Sequence, residues 1–262
     1  MTKHFLIFLL LCSGAFATPE ELKDFNRRME LTEKAIAGDA HSMHLLGNHY
    51  ALYNDLPLAE RWFHKAAEKK HLPSIKRLIT IANNRLPNKD YKLLRDKYSQ
   101  LRTLGHSYAA TELALLYSDK ESPYFHKNKA FLFFQEAMQQ LEVKAYREYG
   151  FMLMQNDIFE HDFNQAMRLF KFAAEKEDLV SMRMLGLCYR NGLGIKKDTE
   201  AAWQWYGKAS QKGDTESMYI LAEALFHGKD IHQNKKNALR YYTLASEKGH
   251  TLARRRLKSL KN

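Results

Sequence analysis

Arg147 and Arg183 lie 36 residues apart, and Lys144 and Arg190 flank them in the same helical register. A guanidinium makes forked, charge-assisted hydrogen bonds to carboxylates, and the neighbouring Phe151, Leu187, Tyr219 and Phe226 add apolar contact area. The set fits a surface for an acidic peptide or helix; arginines that are simply solvated are the plain alternative. Other chemistry is thinner. His41 and His44 share a helical face with His49 close by, but histidines at that spacing with no established carboxylate make a weak metal site. No serine is followed three positions later by lysine, so the serine and lysine pairing of penicillin-binding enzymes is missing. Gly192-Leu193-Gly194 lacks the Lys-Ser/Thr ending of a phosphate-cradling loop. Cys188 falls in mid-helix, the setting of a buried, inert thiol. With no converging nucleophile, base and orienter, the expectation is a non-enzymatic chain with no catalytic residues, no metal and no cofactor.

The elements that must position these residues form a repeated helical pair. From Ser181 to Gly213 the chain reads SMRMLGLCYRNGLGIKKDTEAAWQWYGKASQKG. Ser181, Leu185, Gly186 and Tyr189 fall on one helical face, and Ala202, Trp205, Tyr206 and Ala209 repeat the pattern. Between them Asn191-Gly192-Leu193-Gly194 is a stop signal, and Asp198 is placed to cap the second helix. Neither helix can bury its face alone. Shifting by 36 residues in either direction recovers the same pattern, with Gly150, Ala166 and Phe170 on one side and Ala222, Ala238 and Tyr242 on the other. The small residues at 47, 114, 150, 186 and 222 let two helices approach, and Trp62, Phe134, Phe170, Tyr206 and Tyr242 are expected to fill the space between hairpins.

The motif LGxCYxxGxGIxxDxxAAxxWYxKAxxKG in this stretch resembles the SEL-one-like repeat. That repeat is a longer relative of the tetratricopeptide repeat, whose period is about 34. The resemblance is close in the last four copies and loose in the first two. It implies an all-α fold, a right-handed α-α superhelical solenoid of about six hairpins with helical caps. The expected organisation is a signal peptide at 1–17, a capping helix at 18–38, a solenoid at 39–249 and a capping helix at 250–262. The repeats fall at about 39–70, 71–105, 106–141, 142–177, 178–213 and 214–249, and the copy from Leu72 to Leu104 is degenerate.

The leader reading rests on Lys3, the apolar run from Phe5 to Cys12 and the small-x-small triplet Ala15-Phe16-Ala17. The run is well short of the ~20 residues that cross a bilayer, so no integral span is expected after cleavage, and the chain is expected in the periplasm or secreted. Cys12 leaves with the leader, and one remaining cysteine forms no internal disulfide. The net charge of +11 favours acidic partners. Export and the lack of a recognised nucleic-acid motif argue against nucleic acid.

In stacked hairpins the first helices line the concave wall. The groove positions are then Lys144, Arg147, Phe151 and Met154, then Val180, Arg183, Leu187 and Arg190, and then Glu216, Tyr219, Glu223 and Phe226; upstream they are Tyr108, Thr111, Leu115 and Ser118. The expected function is an exported scaffold whose groove binds a protein or peptide of acidic character. Two other readings stay open: an envelope enzyme acting on peptidoglycan or β-lactams, and recognition of an anionic envelope surface, glycan or lipid, through the basic stretch Arg254-Arg255-Arg256-Leu257-Lys258. The resembled family includes envelope and secreted bacterial proteins concerned with assembly, cell-wall enzyme regulation and host contact, and those are the contexts it implies.

Overall fold

The computed structural model describes residues 19–85, 89–155 and 158–260. The expected leader lies outside them, as do Leu86 and Pro87 of the second hairpin's turn. Among the described residues the chain is all-α, with fourteen helices packed as sequential hairpins. It divides after Gly105 into two compact units. The first holds α1 (Pro19–Ile36), α2 (Ala40–Leu52), α3 (Leu56–Glu68), α4 (Leu72–Asn84) and α5 (Tyr91–Thr103). The second holds α6 (Tyr108–Ser118), α7 (Lys127–Gln139), α8 (Val143–Gln155), α9 (Phe163–Glu175), α10 (Leu179–Asn191), α11 (Thr199–Gln211), α12 (Thr215–His227), α13 (Lys235–Glu247) and α14 (Thr251–Ser259).

Aspartates set half of the helix starts, seven of fourteen among the described residues. The side chains of Asp39, Asp55, Asp90, Asp162, Asp178 and Asp214 each accept a backbone N–H three residues on, satisfying a donor the helix leaves orphaned. Asp198 does the same for Ala201 at 2.9 Å, as its position predicts. Each such cap contributes about 1 kcal/mol. At the other end of α10, Gly192 takes φ +73° as a left-handed cap. Two residues on, Gly194 sits at φ +67° with its α-carbon so close to the next backbone that a Cβ would lie 2.1 Å from the Phe163 carbonyl oxygen. Glycine there meets both a conformational and a steric demand, and the close approach ties this turn to the start of α9.

The core is a seam of small residues against rings. Phe63, Phe134, Phe170, Tyr206 and Tyr242 are all essentially inaccessible, as are Ala114 and Ala222. A Cβ at Gly150 would fall 2.9 Å from Phe170, and one at Gly186 would fall 2.9 Å from Tyr206. In the first hairpin the ring facing the small residue is Phe63 rather than the expected Trp62: a Cβ at Gly47 would come within 2.4 Å of Phe63. One residue along a helix is a turn of about 100°, which leaves Trp62 half-buried at the edge with the Lys65 ammonium 4.5 Å above its ring. Thr111 and Ser118, expected to face the groove, are instead buried; small polar side chains on α6 fit inside the packing, and the Ser118 hydroxyl satisfies itself on the Leu115 carbonyl.

The seam predicts an unusual glycine effect. In an open helix, glycine to alanine gains about 1 kcal/mol, but Gly47→Ala must displace a buried ring, at a cost of about 1–3 kcal/mol. The expected result is net destabilisation in urea unfolding, recovered in Gly47→Ala/Phe63→Leu; a gain in stability for the single variant would contradict the seam.

Candidate functional site

The first helices of successive hairpins are stitched together by a recurring contact. The side chain five positions after the residue that starts one first helix meets the residue that starts the next. The Arg147 Nη1 donates to Asp178 Oδ2 at 2.7 Å, and the Arg183 Nη1 donates to Asp214 Oδ1 at 3.5 Å. Both aspartates are also helix caps, so one carboxylate closes a helix and anchors the repeat before it. In the same register His44 lies with its ring centroid 5.1 Å from that of His71, and Tyr219 stacks on His250 at 4.9 Å. His250 caps α14 and also meets Glu216, 3.0 Å away.

The expected site residues therefore divide into two sorts. Arg147 and Arg183 occupy equivalent places 36 residues apart on α8 and α10, with side chains 21% and 25% exposed, but each already holds a carboxylate. Arg147 also donates to Glu148, and Lys144 pairs with Glu112. Asp178 and Asp214 escape a comparison at step 36 because they lie 31 residues beyond their arginines; a search for opposite charges at that second offset finds them. Arg190 differs. It has no carboxylate within ion-pair distance among the described residues; its guanidinium lies over the Trp203 ring at 5.6 Å. It also approaches the Tyr206 hydroxyl, opposing the upward push that burial gives that phenol.

Arg190 forms one wall of a depression of about 250 Å³ between α10 and α12, with Tyr219, Ile220, Glu216, Glu223 and His227 opposite. The buried Tyr242 donates to Glu223 Oε1 at 2.6 Å. Burial, and then Glu223, push the Tyr242 phenol far upward, so it stays a neutral donor. Phe151 on α8 and Leu187 on α10 are half-buried, with Phe151 edge-on to Phe170. Phe226 lies beneath two cations, Arg256 at 5.1 Å and Lys235 at 5.6 Å.

The histidines assemble otherwise than their spacing along α2 suggests. His41 and His44 are joined by His71 of the next hairpin, and the Nδ1 atoms of His44 and His71 both lie 3.0 Å from the buried Ser74 hydroxyl. His49 is elsewhere, 4.0 Å from Asp24 and packed on Tyr53. Among the described residues no group of three His, Cys, Asp or Glu is arranged to hold a metal ion. Cys188 is buried, and burial pushes its thiol up to about 11, the behaviour of an inert core side chain.

Sequential helical hairpins, with first-helix side chains presented at a constant step, define a tandem helical-repeat protein. The Sel1 repeat family model matches residues 34–71, 143–178, 179–214 and 215–250, more than half of the sequence, and the chain belongs to the Sel1 repeat family. Among solved structures it is similar to a protective antigen of uropathogenic Escherichia coli with the same repeat fold, at 24% identity and a TM-score of 0.67. That match covers 88% of this chain and 50% of the antigen, so the chain spans half the antigen's length. A Sel1 repeat protein from Oxalobacter formigenes aligns at 24% identity and a TM-score of 0.65, covering 82% of this chain and 88% of that one. At these identities the likeness is one of fold. No curated protein matches significantly.

Two measurements check the stitching. Burial, followed by the charges of His71, His41 and Arg77, lowers the affinity of His44 for a proton; burial and His41 do the same at His71, against Asp39. A histidine held below its ordinary value near 6.5 supports the fold above that pH and withdraws support as pH falls through and below it. Protection factors of α2 and α4 amides, corrected for the base-catalysed intrinsic exchange rate, should therefore be lower at pH 5.5 than at 7.5, and His44→Gln/His71→Gln should flatten that dependence. For the second joint, Asp178→Asn keeps the cap and removes the charge, so a cycle with Arg147→Ala isolates the ion pair. The expected coupling is about 1 kcal/mol, and about half that for the longer Arg183–Asp214 pair.

Proposed function

We propose that this chain is an exported binding scaffold that holds a protein partner along the first-helix face of α8, α10 and α12, acting by binding and not by catalysis. Arg190 carries the reading. Alone among the cations expected on this face it is not already satisfied by a carboxylate of the chain, and its guanidinium is held in place by Trp203 beside the half-buried Tyr219 and Ile220. A cation so fixed loses little freedom when it donates a forked hydrogen bond to an acidic side chain, while the aromatic surroundings supply desolvated contact. Arg147, Arg183 and Lys144 then act as rungs whose charge is spoken for, offering an approaching chain guanidinium edges and half-buried carboxylates. Phe151, Leu187, Tyr219 and Phe226 supply the apolar contacts. The partner is an extended peptide or helix with an acidic residue at the Arg190 position. Family membership favours a binding role, and the segment from Lys3 to Ala17 supports export.

Photo-crosslinking in living cells tests this. A crosslinking side chain at Leu187 should capture one predominant envelope protein, and Arg190→Ala should reduce that capture about tenfold or more, in line with loss of a charge-assisted pair. Crosslinks from an exposed second-helix position such as Lys171, with none from Leu187 or Tyr219, would place the partner elsewhere.

A further inference from the structure

The depression between α10 and α12 carries charge of both signs, and the two signs lie at opposite ends of α12. Arg190 is at the end where α12 stops: its guanidinium lies over Trp203, whose indole donates at 2.8 Å to the Asp230 carbonyl in the turn that follows. Lys229, in that turn, lines the same depression. Glu216 also lines it, from the first turn of α12. A step of 36 takes Arg190 to Phe226, ten residues after Glu216, and ten helical residues rise about 15 Å.

The two carboxylates of the depression are differently placed. Glu223 is held within the chain: it accepts from Tyr242, and Arg256 Nε and His227 Nε2 each lie 3.4 Å from it. Glu216 meets only His250, whose Nε2 is 3.0 Å away, while the Nδ1 of that ring accepts the Ala253 N–H at 3.1 Å. An imidazole that accepts at Nδ1 and donates at Nε2 holds one proton and no net charge. The Glu216 charge is therefore not offset by the chain, on a side chain 44% exposed with no lysine or arginine within ion-pair distance among the described residues. One turn on, Tyr219 stacks on His250 with the ring planes 26° apart, so aromatic surface lies beside this carboxylate. A carboxylate next to an aromatic ring attracts a lysine or arginine and repels an acid, so a partner that is acidic throughout fits only the Arg190 end.

Given the partner face proposed above, on which this requirement rests, we infer that the segment seated in the depression is zwitterionic. Its acidic residue meets Arg190, and a lysine or arginine meets Glu216 beside Tyr219. At about 3.3 Å per residue an extended segment spans the separation with the two charges about five residues apart.

A displayed library of random nine-residue peptides, selected on the full chain, is the probe. Selected sequences are expected to combine an aspartate or glutamate with a lysine or arginine about five positions away. Glu216→Gln keeps an acceptor for His250 Nε2 and removes the charge; on this variant the basic preference should fall about fivefold while the acidic preference stays. On Arg190→Ala the acidic preference should fall and the basic one persist. Acidic enrichment without a basic residue, or a basic preference indifferent to Glu216→Gln, would overturn the zwitterionic requirement and leave the role of Arg190 standing. Enrichment of neither charge, or of basic residues alone, would overturn both.

Discussion

A missing side chain on one helix, met by an aromatic ring from the next, is the constraint on which the regular hairpins rest, the degenerate pair α4 and α5 burying Ile75, Leu78, Leu94 and Leu101 instead. Ring edges occupy the space where a Cβ would be at Gly47, Gly150 and Gly186, and this close approach lets helices of only thirteen residues bury Phe63, Phe170 and Tyr206 completely. Isolated helices of that length are marginal in water. Their persistence depends on packing, and the packing depends on the seam. Alanine serves at positions 114 and 222 against Phe134 and Tyr242, so the requirement is for smallness, met more strictly in some copies than in others.

The second level of order lies between repeats. Once the seam fixes the helices of a hairpin, the position five residues into α2, α8, α10 and α12 is brought against the start of the next first helix, and the chemistry of that joint is free to vary. It is an ion pair at Arg147–Asp178 and at Arg183–Asp214, two imidazoles around Ser74 at His44–His71, and a ring stack at Tyr219–His250. Because the aspartates also close their helices, the joint uses groups the helix already requires. The same pairing limits what the arginines can offer another molecule, and it leaves Arg190, seated on Trp203, as the cation with unused capacity.

Much of this was legible in the sequence. The hairpins, the all-α class and the cap at Asp198 follow from the 36-residue step and from residue types whose backbone preferences are strong. The seam was legible except in the first hairpin, where Trp62 and Phe63 are adjacent and both apolar; composition cannot say which of two neighbouring rings points inward, and only the rotation of α3 against Gly47 settles it. The burial of Thr111 and Ser118 was missed for a related reason, since small hydroxyl side chains are compatible with either environment. At the candidate site the step of 36 placed Arg147 and Arg183 in matching positions, but it is blind to contacts between unlike positions. The carboxylates that hold them belong to a second offset, set by the geometry of stacking and invisible to self-comparison at one period.

The joints also govern which rearrangements of the gene the fold can absorb. Excising residues 178–213 would bring Arg147 opposite Asp214, a charge match as good in kind as the original. Excising 214–249 would bring Arg183 opposite His250, where an aromatic ring had faced the imidazole. Duplication and loss of copies are the natural currency of change in such arrays, and here they are filtered by complementarity at each boundary, so that the order of the copies is inherited along with their number.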